Sequence, residues 1–132
     1  MKVFVDTNIF LDLIMRRDGA KEALYILNSC HQSHFEGFVA DITLLNIDYV
    51  ASKQSKEIKE FLKTISNSFV IVGTDNAMFE KAFAISHNDL EDTIQYLSAK
   101  ASHCDTIITN DKNFYNTGDI ETITSKEFIE RV

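Results

Sequence analysis

Residues 2–8, Lys2-Val3-Phe4-Val5-Asp6-Thr7-Asn8, decide the fold. Val3, Phe4 and Val5 form a continuous apolar run rather than an alternating one, the pattern of a strand buried on both faces of a parallel sheet. Three polar side chains follow at once. Asp after a strand is a favoured helix cap, because its carboxylate accepts from unpaired backbone N–H groups. Three polar groups in a row exceed what a cap needs. Asn8 is placed to orient a neighbouring carboxylate by hydrogen bonding.

Working outward, residues 37–40, 69–72 and 106–109 read as strands of the same kind, and Glu121–Ile123 as a weaker fifth. Helical periodicity fills the gaps. Ala20, Ala23, Leu24, Leu27 and Cys30 share one stripe, Ile58, Phe61, Leu62 and Ile65 a second, and Leu90, Ile94, Leu97 and Ala101 a third. Two helices fit residues 41–66. Thr124-Ser125 reads as the cap of a last helix. Strands alternating with helices specify an α/β domain with a parallel sheet.

The composition agrees. The chain of 132 residues makes one domain spanning 1–132, with 45% apolar residues, enough for a real core. Two cysteines, Cys30 and Cys104, exclude a disulfide scaffold and read as small buried hydrophobes. No apolar run approaches ~18 residues, so no membrane span is expected. An acid at position 6 argues against a signal peptide, and the expected location is cytoplasmic. With 20 acidic and 13 basic residues the net charge is -7, which excludes a basic nucleic-acid-coating protein. It leaves room for an acidic cluster that holds a metal against phosphate.

Each main strand is followed by an acid: Asp6, Asp41, Asp75 and Asp111. Ligands of open parallel sheets bind beyond the carboxyl ends of the strands where strand order reverses, so strands adjacent there bring their acids together. Asp6 and Asp111 are the candidates; Asp41 and Asp75 read first as helix caps. Asn88-Asp89-Leu90-Glu91-Asp92 opens the third amphipathic helix. Asp89 and Asp92 share a helix face, roughly 5–6 Å apart at Cβ. At about 100° per residue they point away from the Leu90/Ile94/Leu97 stripe, with Tyr96 and Lys100 continuing their column. The helix dipole accounts for one or two such acids. Carboxylates this close repel unless a cation compensates them. Thr109-Asn110-Asp111-Lys112-Asn113-Phe114 supplies a hydroxyl and a carboxylate at a strand end, with Phe114 as an anchor.

Taken together, VFVDTNIFLD at the start, ADITLLNIDYV in the middle and DLEDTIQYLSAKASHCDTIITNDKNF late resemble the PIN domain family over nearly the whole chain. The likeness is greatest to the bacterial members that include VapC-type toxin ribonucleases. The resemblance implies a three-layer fold with a central parallel sheet of four to five strands in order 3-2-1-4-5, flanked by helices. It implies metal-dependent cleavage of RNA, with Mg²⁺ or Mn²⁺ among acids. By position, Asp6, Asp92 and Asp111 match the metal-holding catalytic acids, Asp89 an accessory acid, and Asn8 and Thr109 the supporting polar positions. It also implies an antitoxin protein as partner and a homodimer. One position departs from the pattern. Many members carry a Glu where this chain has Asn46, and Asp48, about 200° further around a helix, does not replace it. Asn46 still offers a hydrogen bond or a neutral oxygen, but the site is expected to lose one charge.

Two other readings share these residues. A catalytically weak PIN-fold module for RNA or protein binding would explain Asn46. A phosphoryl-transfer or phospho-acceptor domain also places acids at strand ends, but Asn8 stands where its second acid belongs. No nucleophilic triad competes. Among the histidines only His87 lies beside the acids, where His serves in acid–base steps. Arg16, Arg17, Lys100 and Lys112 are candidate substrate contacts, each also readable as a solvated surface charge.

Overall fold

Phe4 is wholly buried, and so are Val3 and Val5, on opposite sides of one extended segment. A strand must present successive side chains to opposite faces. This one therefore needs a covering layer on each side, and the rest of the fold supplies both. The computed structural model describes residues 1–53 and 56–132. Its elements are β1 (Lys2–Val5), α1 (Thr7–Ile14), α2 (Ala20–His31), β2 (Glu36–Ala40), α3 (Asp41–Ala51) and α4 (Ile58–Ser68). There follow β3 (Phe69–Val72), α5 (Asn76–Ala84), α6 (Leu90–Ala101), β4 (Thr106–Ile108), β5 (Glu121–Ile123) and α7 (Ser125–Arg131).

The sheet has order β3-β2-β1-β4-β5. Every pairing is parallel, with Phe4 opposite Phe38 on one side and Ile107 on the other. On one face Val3, Val5, Val39, Ile108 and Ile123 pack with residues of α1, α2, α3, α4 and α7. On the other, Phe4, Phe38, Ala40 and Ile107 meet Tyr96 and Ala99 of α6, with Phe114 and Ile120 closing the edge. These are the three layers and the strand order that the family resemblance implied. At about 1.5–3 kcal/mol for each fully buried large apolar side chain, these two clusters carry the fold.

Local details follow from residue chemistry. Thr124 caps α7 with a reciprocal capping box to Glu127, as its position promised. Gly37 lies where β2 passes Cys30 and Phe69; a Cβ there would overlap the Cys30 sulfur and sit 2.6 Å from the Phe69 ring. Both cysteines are free and buried, and burial pushes their thiols up to about 11 and about 12. Asp75 caps α5 through Met78 N–H, the ordinary role foreseen for it. Asp41 differs slightly. It opens α3 and accepts from Thr74 N–H and hydroxyl, tying the end of β3 to the end of β2.

One expectation is reversed. The α6 stripe of Leu90, Ile94, Leu97 and Ala101 is not the buried face. Leu90 is 44% exposed, and Leu97 and Ala101 are not buried. The interior face is Asp92, Thr93, Gln95, Tyr96 and Ala99, with Ile94 between. The predicted polar column therefore splits: Asp92 and Tyr96 point inward, and Asp89 and Lys100 at its two ends are exposed. Among the described residues, no helix is long and apolar enough to cross a membrane.

Candidate active site

The site lies past the carboxyl ends of β1 and β4, the central strand and its neighbour. Asp6 leaves β1 with its backbone N–H on Ile108 O, 3.0 Å. It occupies the cap position of α1 yet makes no side-chain cap bond, so its carboxylate is free for other partners. It is 1% exposed. Thr109 Oγ1 donates to one of its oxygens at 2.9 Å, and Gln95 Nε2 to the other at 3.0 Å. The orientation of Gln95 is settled by its far atom. Its Oε1 accepts from Thr7 N–H at 3.1 Å, so its NH₂ must face Asp6. Thr7 in turn shares a hydroxyl contact of 2.8 Å with Thr43 on α3. Burial pushes the Asp6 carboxyl up to about 6, against the opposing pull of Thr109, Gln95 and the Asn8 backbone N–H.

Asp92 enters from the first turn of α6 and is 6% exposed. No hydrogen bond reaches its carboxylate among the described residues; His87 Nε2, 3.9 Å away, is the nearest basic group. That nitrogen is itself buried without a hydrogen-bond partner, and its ring lies against Tyr115 at 5.3 Å. Burial pushes Asp92 up to about 7, and the charges of Asp89, Asp6, Asp111 and Glu91 push the same way. Four acids are thus close enough to repel it. Asp89 is exposed, and one of its oxygens caps α6 by accepting from Asp92 N–H at 3.1 Å. Asp111 accepts from Asn113 N–H at 2.9 Å and donates its own N–H to Thr109 Oγ1 at 3.1 Å. Thr109 is the hinge of the set, holding Asp6 with its proton and Asp111 with its lone pair.

Thr109 joins Asp6 to Asp111, and Asp6, Asp89 and Asp111 all lie near enough to Asp92 for their charges to act on it. The structure assigns other roles to the remaining candidates. The Asn8 side chain is exposed and, among the described residues, unbonded; the amide that orients Asp6 belongs to Gln95. No periodic or motif signal marks a Gln in mid-helix. Asn46 donates to Glu91, which lies on the facing helix. Arg17 and Lys100 pair at the surface with Asp12 and Asp119, at 3.9 and 3.0 Å. Arg16 and Lys112 are exposed.

The donor set suits a hard divalent cation. It is all oxygen, it is anionic, and Asp92 holds a buried carboxylate that no protein donor satisfies. Among the described residues no three His, Cys, Asp or Glu side chains converge into a ready-made cage. Mutual repulsion keeps carboxylates apart, and Mg²⁺ retains several waters and needs only one or two of them directly.

A sheet in this order with acids past its central strands defines a class, and the chain belongs to the PIN domain family: a model of that family matches residues 2–113. Among individual proteins, it is similar to Ribonuclease VapC1 of Aquifex aeolicus (strain VF5), with 34% identity over 137 residues, covering 98% of this chain and 94% of that one. Two solved structures share the fold. A toxin–antitoxin complex from Klebsiella pneumoniae aligns with TM-score 0.68 and 24% identity over 93% of this chain and 97% of that chain. VapBC2 from Rickettsia felis, bound to a DNA fragment from their promoter, aligns with TM-score 0.68 and 15% identity over 94% and 98%.

Proposed function

We propose that this chain is a divalent-metal-dependent endoribonuclease of the cytoplasm and the toxin of a toxin–antitoxin pair. The observation that carries the reading is Asp92, a buried carboxylate without a hydrogen bond, set among other acids at the mouth of a parallel sheet. The likeness to a ribonuclease over nearly the full length of both chains supports the same substrate.

Asp6, Asp92 and Asp111 would hold Mg²⁺ or Mn²⁺, with Asp89 beside them. A bound cation of this kind supplies Lewis acidity toward a phosphate oxygen and toward an attacking water. The chain's own residues do the rest. Gln95 and Thr109 fix both Asp6 oxygens, so that carboxylate cannot swing away. Thr109 couples its position to that of Asp111. Burial of Asp6 and Asp92 lowers the local dielectric and strengthens their grip on positive charge.

The partners follow from the surface. Leu45 and Tyr49 on α3 are 73% and 79% exposed, and Phe83 and Leu90 are also exposed. α3, α5 and α6 meet in one cleft lined by Ile42, Asn46, Phe79, Leu90, Glu91 and Ile94. The apolar walls of that cleft, Ile42, Phe79, Leu90 and Ile94, with the exposed Leu45 and Tyr49 on α3, support a homodimer contact. The antitoxin expectation rests on the solved relatives that carry one.

The test is Mn²⁺ calorimetry on wild type and Asp6→Asn, followed by cleavage of a mixed structured-RNA pool. Binding and discrete cuts by wild type, both lost in Asp6→Asn, are expected. Binding without cutting would favour the weak module instead, and no binding at millimolar metal would end the metal reading.

A further inference from the structure

Two polar groups face each other at the site without a hydrogen bond among the described residues. One is the Asp92 carboxylate, on a side chain 8% exposed. The other is His87 Nε2, 3.9 Å from Asp92 Oδ2 and closed from solvent without a partner. We propose that His87 is the positioning residue of Asp92, its ring N–H supplying the donor that this carboxylate lacks. The inference rests on the metal-nuclease reading above.

A buried ring nitrogen without a partner costs stability. Packing alone does not call for one. The His87 ring lies against Tyr115 at 5.3 Å, and Tyr115 against Tyr96 at 5.2 Å. A phenyl ring would make the same stack without burying a nitrogen. The stack explains instead how the ring is aimed. His87 lies in the connection between α5 and α6, with its backbone N–H on Ile85 O at 3.0 Å. Tyr96 is anchored in turn by its hydroxyl on Thr117 Oγ1. The ring is therefore held at both its backbone and its face, with Nε2 toward Asp92. A side-chain shift of about 1 Å closes the gap to an ordinary N–H···O length.

The two central acids then follow one plan. Asp6 is held by two neutral donors, Gln95 and Thr109. A neutral donor fixes a carboxylate and leaves its charge for a cation, whereas a Lys or Arg in contact would compete for that charge. The ion pairs of Arg17, Lys63, Lys100 and Arg131 run elsewhere, to Asp12, Glu60, Asp119 and Glu121. A neutral imidazole beside Asp92 does for it what Gln95 does for Asp6, and no change of protonation enters the argument.

The experiment uses the full-length protein, Mn²⁺ as the probe, and two readouts: calorimetric affinity, and the unfolding midpoint without metal. His87→Phe keeps the stack on Tyr115 and removes the donor. It is expected to weaken Mn²⁺ binding by about 10–100-fold. His87→Leu, a donor-free side chain without a ring, should weaken it as well. The metal-free midpoint of His87→Phe should be unchanged or higher, because the unpaired nitrogen has gone. His87→Gln carries an N–H donor on a chain of similar reach and should recover most of the affinity. If His87→Phe and His87→Leu bind Mn²⁺ as wild type does while Asp6→Asn does not bind, the proposal is overturned and the metal site stands. Binding by His87→Gln as weak as by His87→Phe would also overturn it, since the donor would not be what matters. A metal-free midpoint lowered in all three variants, with affinity falling in step, would make His87 a packing residue and overturn it too. Failure of wild type itself to bind would remove the metal reading and this inference together.

Discussion

Two carboxylates in this protein are treated in opposite ways. Asp6, 1% exposed, is bonded at both oxygens, whereas the carboxylate of Asp92, 6% exposed, accepts no hydrogen bond among the described residues. Holding Asp6 depends on Gln95, and Gln95→Leu should show it. That change removes the donor and strands Thr7 N–H, costing about 1–3 kcal/mol of stability. It should also lower Mn²⁺ affinity by about 10–100-fold in calorimetry. Asp92 predicts a pH effect. Its folded carboxyl sits at about 7 against an ordinary 3.8. Between those values the metal-free folded chain holds a proton that the unfolded chain gives up, so stability falls as pH rises through that window. Asp6, at about 6, adds to the same slope. Thermal melts of the metal-free protein should therefore show a higher midpoint near the acid end of this window than above it. Mn²⁺ should narrow the gap. Asp92→Asn should raise the metal-free midpoint near neutral pH by about 3–5 °C, the equivalent of roughly 1 kcal/mol, and abolish the Mn²⁺ response. At this scale the sequence was readable where a polar residue breaks an apolar run, as at Asp6, Thr109 and Asp111. Gln95 was not readable, because nothing local distinguishes it from any polar residue on a helix. Its role arises only when α6 is laid against β1.

Among the elements, α6 teaches the most. Amphipathic reading assumes that the apolar stripe faces the core. Here the helix starts at the site, so its first turn brings Asp92 inward, and Tyr96 one turn on follows it into the interior. Tyr96 can be buried because its hydroxyl meets Thr117 Oγ1 at 2.6 Å. Tyr96→Phe should cost about 0.5–1.5 kcal/mol in denaturant melts, whereas Leu90→Gln at the exposed rim should stay within about 0.5 kcal/mol. The strands were legible to within a residue because their buried runs are short and bounded. β2 begins at Glu36 rather than residue 37, and β4 ends at Ile108 rather than 109. Close passage at Gly37 was beyond the sequence, since it depends on where Cys30 and Phe69 arrive. Gly37→Ala should lower stability by about 1–3 kcal/mol through overpacking.

Over the whole molecule, the strand order was available only through the family resemblance; periodicity gives a parallel sheet without saying which strands are neighbours. The net charge of -7 has its own consequence. Attraction for RNA must come from a few local contacts against an unfavourable overall field, so binding should be weak and its salt dependence shallow, since few phosphates are neutralised. Filter binding with Asp6→Asn in Ca²⁺ across a salt series would measure it; a steep fall in affinity with salt would contradict it. Dimerisation belongs to this scale too. Tyr49→Glu should shift sedimentation toward monomer if the α3 face is the contact. Finally, Thr109, which holds Asp6 and Asp111, is pinned by its own N–H to Ile123 O at 2.9 Å. All the acids of the site precede Ile123 in the chain, yet the residue that aligns two of them is fastened by the edge strand that follows. As the chain leaves the ribosome, its chemistry-bearing residues emerge before the part that locks them into position. A version stopped after Asn113 would contain every acid and lack that lock. Order at the site therefore depends on a strand that carries none of its acids.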